Sequence, residues 1–224
     1  MNLEPDMEAT QSSKSIDKLV TFGAHFFSAV LSPMLMPTYG VFLVLWCSFL
    51  NANPVGDRVG ALLVIFGITC ILPIVFIALL HNLKIIKDKR LDDRAERSIP
   101  YVFSMLCYVA AYFYLNHIHA PQWFSAFMAG GALACAVSFL VNLKWKISAH
   151  MAGIAGVVVL LFELHSPSNR LEAFDLSWIL WIAILLAGLL GSARMVLNRH
   201  TLAQVLAGTL NGVVCVKLAM MIWG

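Results

Sequence analysis

GALLVIFGITCILPIVFIALLH, residues 60–81, contains no Asp, Glu, Lys or Arg. As a helix it is long enough to cross the roughly 30 Å hydrocarbon core of a bilayer. Segments of the same kind recur near 34–50, 99–117, 121–142, 149–165, 176–193 and 201–223. Each is closed by a polar or proline-containing link, such as His119-Ala120-Pro121 or Ser166-Pro167-Ser168-Asn169. Apolar residues make up 60% of the 224 and charged residues 12%, with a mean hydropathy of +0.83. A soluble domain with a solvated surface does not reach that balance. The pattern predicts an all-α fold, a polytopic transmembrane helix bundle of about seven (six to seven) spans embedded in a lipid bilayer.

Residues 1–18 are polar and mixed in charge, unlike the basic start of a cleaved signal peptide, and read as a short disordered or interfacial tail. Residues 19–224 read as a single transmembrane domain without repeats. Ser32-Pro33 and Met36-Pro37 interrupt its first apolar run, so that run predicts a kinked or interfacial approach followed by one span. The five cysteines, Cys47, Cys70, Cys107, Cys135 and Cys215, all fall inside apolar runs and form no CxxC pair. They predict packing residues and neither a disulfide framework nor a metal site.

Each crossing carries the chain to the other side, so the links can be sorted by parity. The face bearing the N-terminus receives 82–98, 143–148 and 194–200, and with them 12 of the 15 Lys and Arg residues. The opposite face receives 51–59, 118–120 and 166–175 and is nearly featureless. Orientation alone accounts for many of these cations, because cytoplasmic links carry excess Lys and Arg. Lys84, Lys87, Lys144 and Lys146 fit that use. It does not require arginine and histidine together at span ends, as Arg97, His150, Arg194 and His200 are.

Three segments share the charged face: Arg90 to Pro100, Lys146-Ile147-Ser148-Ala149-His150, and Ser192-Ala193-Arg194 followed by His200 and Gln204. Arginine offers a planar fork of donors to phosphate oxygens, and a helix start adds backbone N–H groups aimed at an anion. One histidine can attack phosphorus while another protonates the leaving oxygen. Ser148 also suits the N-cap of the helix that follows. One turn after His200, Gln204 could accept the proton on His200 Nδ1.

In order and spacing these segments resemble the type 2 phosphatidic acid phosphatase and haloperoxidase superfamily, whose motifs read K-x6-R-P, P-S-G-H and S-R-x5-H-x3-D. Arg90-x6-Arg97 is similar to the first, with Arg in place of Lys and the proline displaced to Pro100. Ile147-Ser148-Ala149-His150 is similar to the second, with Ile147 and Ala149 replacing Pro and Gly. Arg194-x5-His200-x3-Gln204 is similar to the third, with Gln204 where Asp is usual. The resemblance implies that His200 is the nucleophile and His150 the acid. It also implies that Arg90, Arg97, Arg194 and Ser148 hold the phosphate, with no metal and no cofactor. A neutral Gln204 orients His200 without stabilising its positive charge, unless Asp92, Asp93 or Glu96 lends a carboxylate.

The expected substrate is an amphiphilic phosphorylated lipid: phosphatidate, phosphatidylglycerophosphate, a polyprenyl diphosphate or a lipid A phosphate. No nucleic-acid partner is expected. The expected location is the bacterial cytoplasmic (inner) membrane, with the charge count favouring a cytoplasmic active face. The competing expectation is a non-catalytic lipid-binding or transport module that keeps the phosphate pocket. His25, His81, His117, His119 and His165 read as solvated or interfacial. Gly153-x2-Gly156 and Gly208-x3-Gly212 read as close helix contacts.

Overall fold

A computed structural model describes residues 4–87, 94–166, 169 and 175–224, with side chains from residue 17 onward. Among them the chain forms helices and no strand: α1 (Glu4–Val30), α2 (Met36–Cys47), α3 (Val55–Phe66), α4 (Leu72–Asn82), α5 (Ser98–His117), α6 (Gln122–Asn142), α7 (Ala149–Leu164), α8 (Ser177–Val196) and α9 (Leu202–Trp223). A π-turn at Gly67–Ile71 joins α3 to α4, and a 3-10 turn at Ala95–Arg97 leads into α5. Prolines fall where a missing N–H costs least, Pro37 and Pro73 in the first turns of α2 and α4 and Pro54 and Pro121 just before α3 and α6.

Among the described residues five helical segments are long and apolar enough to cross a membrane: Val55–Asn82, Ala95–His117, Gln122–Asn142, Ser177–Val196 and Leu202–Trp223. The chain is an integral membrane protein. α2 and α7 are apolar but shorter, with 12 and 16 residues. At ~1.5 Å per residue α7 is roughly 24 Å long, less than the ~30 Å hydrocarbon thickness. It is apolar on every side because it is enclosed, packed against α2, α6, α8 and α9. Leu160, Leu161 and Leu164 are wholly buried there, in a core shared with Val41, Val44, Phe124 and Met128.

The N-terminal segment, expected to be disordered or interfacial, is helical from Glu4. Helix α1 starts at Glu4 and runs through the proposed boundary at residue 18 to Val30. It packs on α8, and the Tyr39 hydroxyl of α2 donates to the Val30 carbonyl at 2.9 Å. Leu19, Phe22 and Phe26 remain exposed on its outer side.

α9 packs closely on α7 and α6 because glycines let backbones meet. A Cβ at Gly208 would lie 2.4 Å from the Ser148 carbonyl oxygen, and one at Gly212 only 2.2 Å from that of Ala152. Asn211 adds a polar clamp, donating from Nδ2 to the Ala134 carbonyl at 3.0 Å and the Ser138 hydroxyl at 2.9 Å. The face that looked featureless in sequence also holds structure. Arg58 is buried, donates to the Leu45 carbonyl and to Asn51 Oδ1, and lies over the Trp46 ring.

Candidate functional site

A cavity of about 260 Å³ opens among α2, α5, α6, α7, α8 and α9, and Arg97, His150, Arg194 and His200 line one end of it. Each comes from a helix terminus. Arg97 closes the 3-10 turn before α5, His150 is in the first turn of α7, Arg194 is in the last turn of α8, and His200 stands just before α9. Arg194, His200 and Arg97 all act electrostatically on His150.

The spacing between Arg194 and His200 follows from how α8 ends. Asn198 takes a left-handed backbone, φ 52°, the conformation that terminates helices and that asparagine tolerates well. The chain reverses there, and the Arg194 carbonyl accepts the N–H groups of both Arg199, at 3.0 Å, and His200, at 3.3 Å. Thr201 then caps α9, its hydroxyl accepting from Gln204 N–H at 3.4 Å, while Gln204 Oε1 accepts from Thr201 N–H at 3.3 Å. This is a capping box.

The same Gln204 Oε1 lies 3.1 Å from His200 Nδ1. A backbone N–H can only donate, so the Thr201 contact identifies the atom as the amide oxygen. His200 Nδ1 must then be the donor, which leaves Nε2 of the neutral ring with a lone pair. Burial lowers the His200 pKa from 6.5 to about 4; the Gln204 hydrogen bond opposes this, and the charges of Arg97, Arg194 and Lys146 add to it. The ring is neutral at physiological pH.

Ser148 is placed differently from a phosphate donor. It is wholly buried, is not among the cavity-lining residues, and accepts from Met151 N–H as the N-cap of α7. Its own N–H donates to the Gln204 carbonyl at 3.3 Å, so it ties α7 to α9 beneath the site. Arg90, Asp92 and Asp93 lie outside the described residues. Glu96 accepts from Lys87 N–H at 2.8 Å, so its carboxylate braces the approach to α5. Gln204 is the partner found at His200 Nδ1.

Three contributors escaped the sequence reading. Ser28 of α1 presents its carbonyl to His150 Nε2 at 3.1 Å and its hydroxyl to Arg194 Nη1 at 3.4 Å. Tyr101, one turn into α5, hydrogen-bonds to Arg97 and lines the cavity. Lys146, read as topogenic, acts on His200. A lone serine in an apolar run carries no signal of its own. Tyr101 had one, as the next inward-facing position after Arg97 on a helix.

Among the described residues no group of three or more His, Cys, Asp or Glu side chains is placed to hold a metal ion. Two guanidinium groups and two imidazoles along one cavity are chemically suited to an oxyanion. No family model, curated protein or solved structure matches the chain.

Proposed function

We propose that the chain is a membrane phosphatase that hydrolyses a lipid or polyprenyl phosphate through a phosphohistidine. The observation that carries this reading is the hydrogen bond between His200 Nδ1 and Gln204 Oε1, which leaves His200 Nε2 nucleophilic beside Arg97 and Arg194. With the anionic phosphate bound, His150 carries a proton on both ring nitrogens; Nε2 of His200 attacks phosphorus, the ester P–O bond breaks, and the leaving alkoxide takes the Nδ1 proton of His150. Water then attacks the phosphohistidine and gives its proton to His150. Alcohol and inorganic phosphate leave, and both histidines return to their starting states. Arg97 and Arg194 offset the charge on the equatorial oxygens. In this reading Ser148 supports the site as a cap, and Arg90 remains a candidate phosphate ligand by its motif.

The reading extends to topology and place. We take α2 and α7 as short crossings inside the bundle, making seven in all, in a bacterial cytoplasmic membrane with the charged face toward the cytoplasm. The resemblance to type 2 phosphatidic acid phosphatases supports the chemistry, and the apolar lining that shares a cavity with the charged residues supports a substrate drawn from the bilayer.

One observation favours a second reading, a phosphate-binding membrane protein without turnover: Gln204 brings no negative charge to His200. Phosphate release by the purified protein separates the two, with phosphatidate, phosphatidylglycerophosphate, a polyprenyl diphosphate and a lipid A phosphate as substrates. Release abolished by His200→Ala supports the phosphatase. Release unaffected by that change, or no release from any of the four, rejects it.

A further inference from the structure

The cavity does not stop at its charged end. It continues along α5 from Arg97 to Tyr108, roughly 16 Å at ~1.5 Å per residue. That is about half of the ~30 Å hydrocarbon thickness, so the cavity runs from one membrane face toward the midplane. A lipid chain anchored at a headgroup covers the same distance within its own leaflet.

The inner wall is suited to hydrocarbon. Phe127, Gly131, Ala134, Gly153, Gly156 and Val216 make up most of it. Two hydroxyls deeper in the wall are already engaged, that of Thr69 with the Ile65 carbonyl at 2.8 Å and that of Ser138 with Asn211 Nδ2 at 2.9 Å. Buried water needs two to four polar partners apiece, and the further hydroxyls of this inner wall are those of Ser104 and Tyr108. The cavity's walls are closely packed. A Cβ at Gly131 would fall 2.4 Å from the Tyr108 ring, and one at Gly153 would fall 2.9 Å from Met36. Its volume of about 260 Å³ lies just below the roughly 300–1,000 Å³ of small-molecule sites. One chain fits beside a phosphate; two do not.

We infer that the substrate is a phosphate ester bearing a single hydrocarbon chain, alkyl or isoprenyl, and that this chain lies inside the bundle while the phosphate sits at Arg97 and Arg194. The inference rests on the phosphatase reading of the charged end. Ser104 and Cys135 line the slot from α5 and α6 and lie outside the phosphate end. Replacing either by phenylalanine narrows the slot.

The test compares kcat/KM for butyl phosphate, dodecyl phosphate and a phosphatidate with two dodecanoyl chains, in one detergent, for the wild type, Ser104→Phe and Cys135→Phe. Dodecyl phosphate is expected to exceed both other substrates at least tenfold in the wild type. The ratio of dodecyl to butyl phosphate is expected to fall at least tenfold in the filled variants. If one variant fails to fold, judged by thermal unfolding, the other and the wild-type comparison still decide. Equal use of butyl and dodecyl phosphate, a preference for the two-chain lipid, or a ratio unmoved in a folded variant overturns the inference and leaves the phosphatase reading standing. No hydrolysis of any of the three by the wild type removes both.

Discussion

The carbonyl oxygen of Ser28 lies 3.1 Å from Nε2 of His150, joining α1 to the first turn of α7. A carbonyl only accepts, so the proton on His150 Nε2 is held there, and on the phosphatase reading Nδ1 is the nitrogen that exchanges protons. The hydroxyl of the same serine accepts from Arg194 at 3.4 Å. Ser28→Ala keeps the carbonyl and loses the hydroxyl, one modest hydrogen bond worth about 1 kcal/mol. Steady-state phosphate release should show KM raised roughly three- to tenfold with kcat little changed. A fall in kcat with KM unchanged would place Ser28 in the chemical step instead.

Gln204 serves two partners with one oxygen, and substitutions can separate them. Gln204→Glu retains the capping box and adds a carboxylate to His200. Single-turnover kinetics should show faster phosphorylation, by several-fold, because the charge of the imidazole intermediate is better offset. Gln204→Asp asks the same question with a shorter arm, and turnover unchanged in both variants would remove the argument. Gln204→Leu keeps the fold at a cost of about 1 kcal/mol from the lost cap and lowers kcat at least a hundredfold.

The depressed pKa of His200 gives a signed pH dependence. The folded value, about 4, lies below the ordinary 6.5, so folding favours the neutral ring. The stability this residue contributes is complete above pH about 6.5 and is lost as pH falls through 6.5 toward 4. Thermal unfolding of the wild type and of His200→Asn, compared across that window, should therefore converge as pH falls. A proton NMR titration of the His200 ring with a midpoint near 6.5 would show that the ring is not held neutral by its surroundings.

Two glycine substitutions should behave oppositely. A Cβ at Gly208 meets the backbone oxygen of Ser148, which cannot rotate away, whereas one at Gly188 meets nothing within 4 Å. Gly208→Ala should destabilise by roughly 1–3 kcal/mol through overpacking and lower activity more than tenfold, since Ser148 carries the start of the helix bearing His150. Gly188→Ala should leave activity intact and stabilise by about 0.4–1 kcal/mol. Melting temperature and phosphate release measured on the same samples check both.

The apolar runs of the sequence correspond to helices α2 through α9 within a few residues, because backbone groups in hydrocarbon must bond within their own segment. What composition could not reveal was which helices are enclosed. α7 looks in sequence like any other span, and only packing shows that it is surrounded by α2, α6, α8 and α9. The site was legible where spacing encodes local geometry, as from Arg194 to Gln204, where a left-handed residue and a capping box fix the turn. It was illegible where distant segments meet. Nothing near Ser28 in the chain announces His150, which lies 122 positions away. The helix at the start of α1 was not legible because mixed charge without an apolar run carries no helical period.

Arg194 and His200 are bound to one another through a single backbone carbonyl, whereas His150 reaches them only through contacts between separate helices, the packing of α7 on α8 and α9 and the bridge from Ser28 of α1. Heat or detergent that loosens the bundle will therefore separate acid from nucleophile before it parts nucleophile from arginine. On the phosphatase reading both steps need His150, so a partly melted molecule should keep the arginine and nucleophile that bind phosphate and lose turnover first.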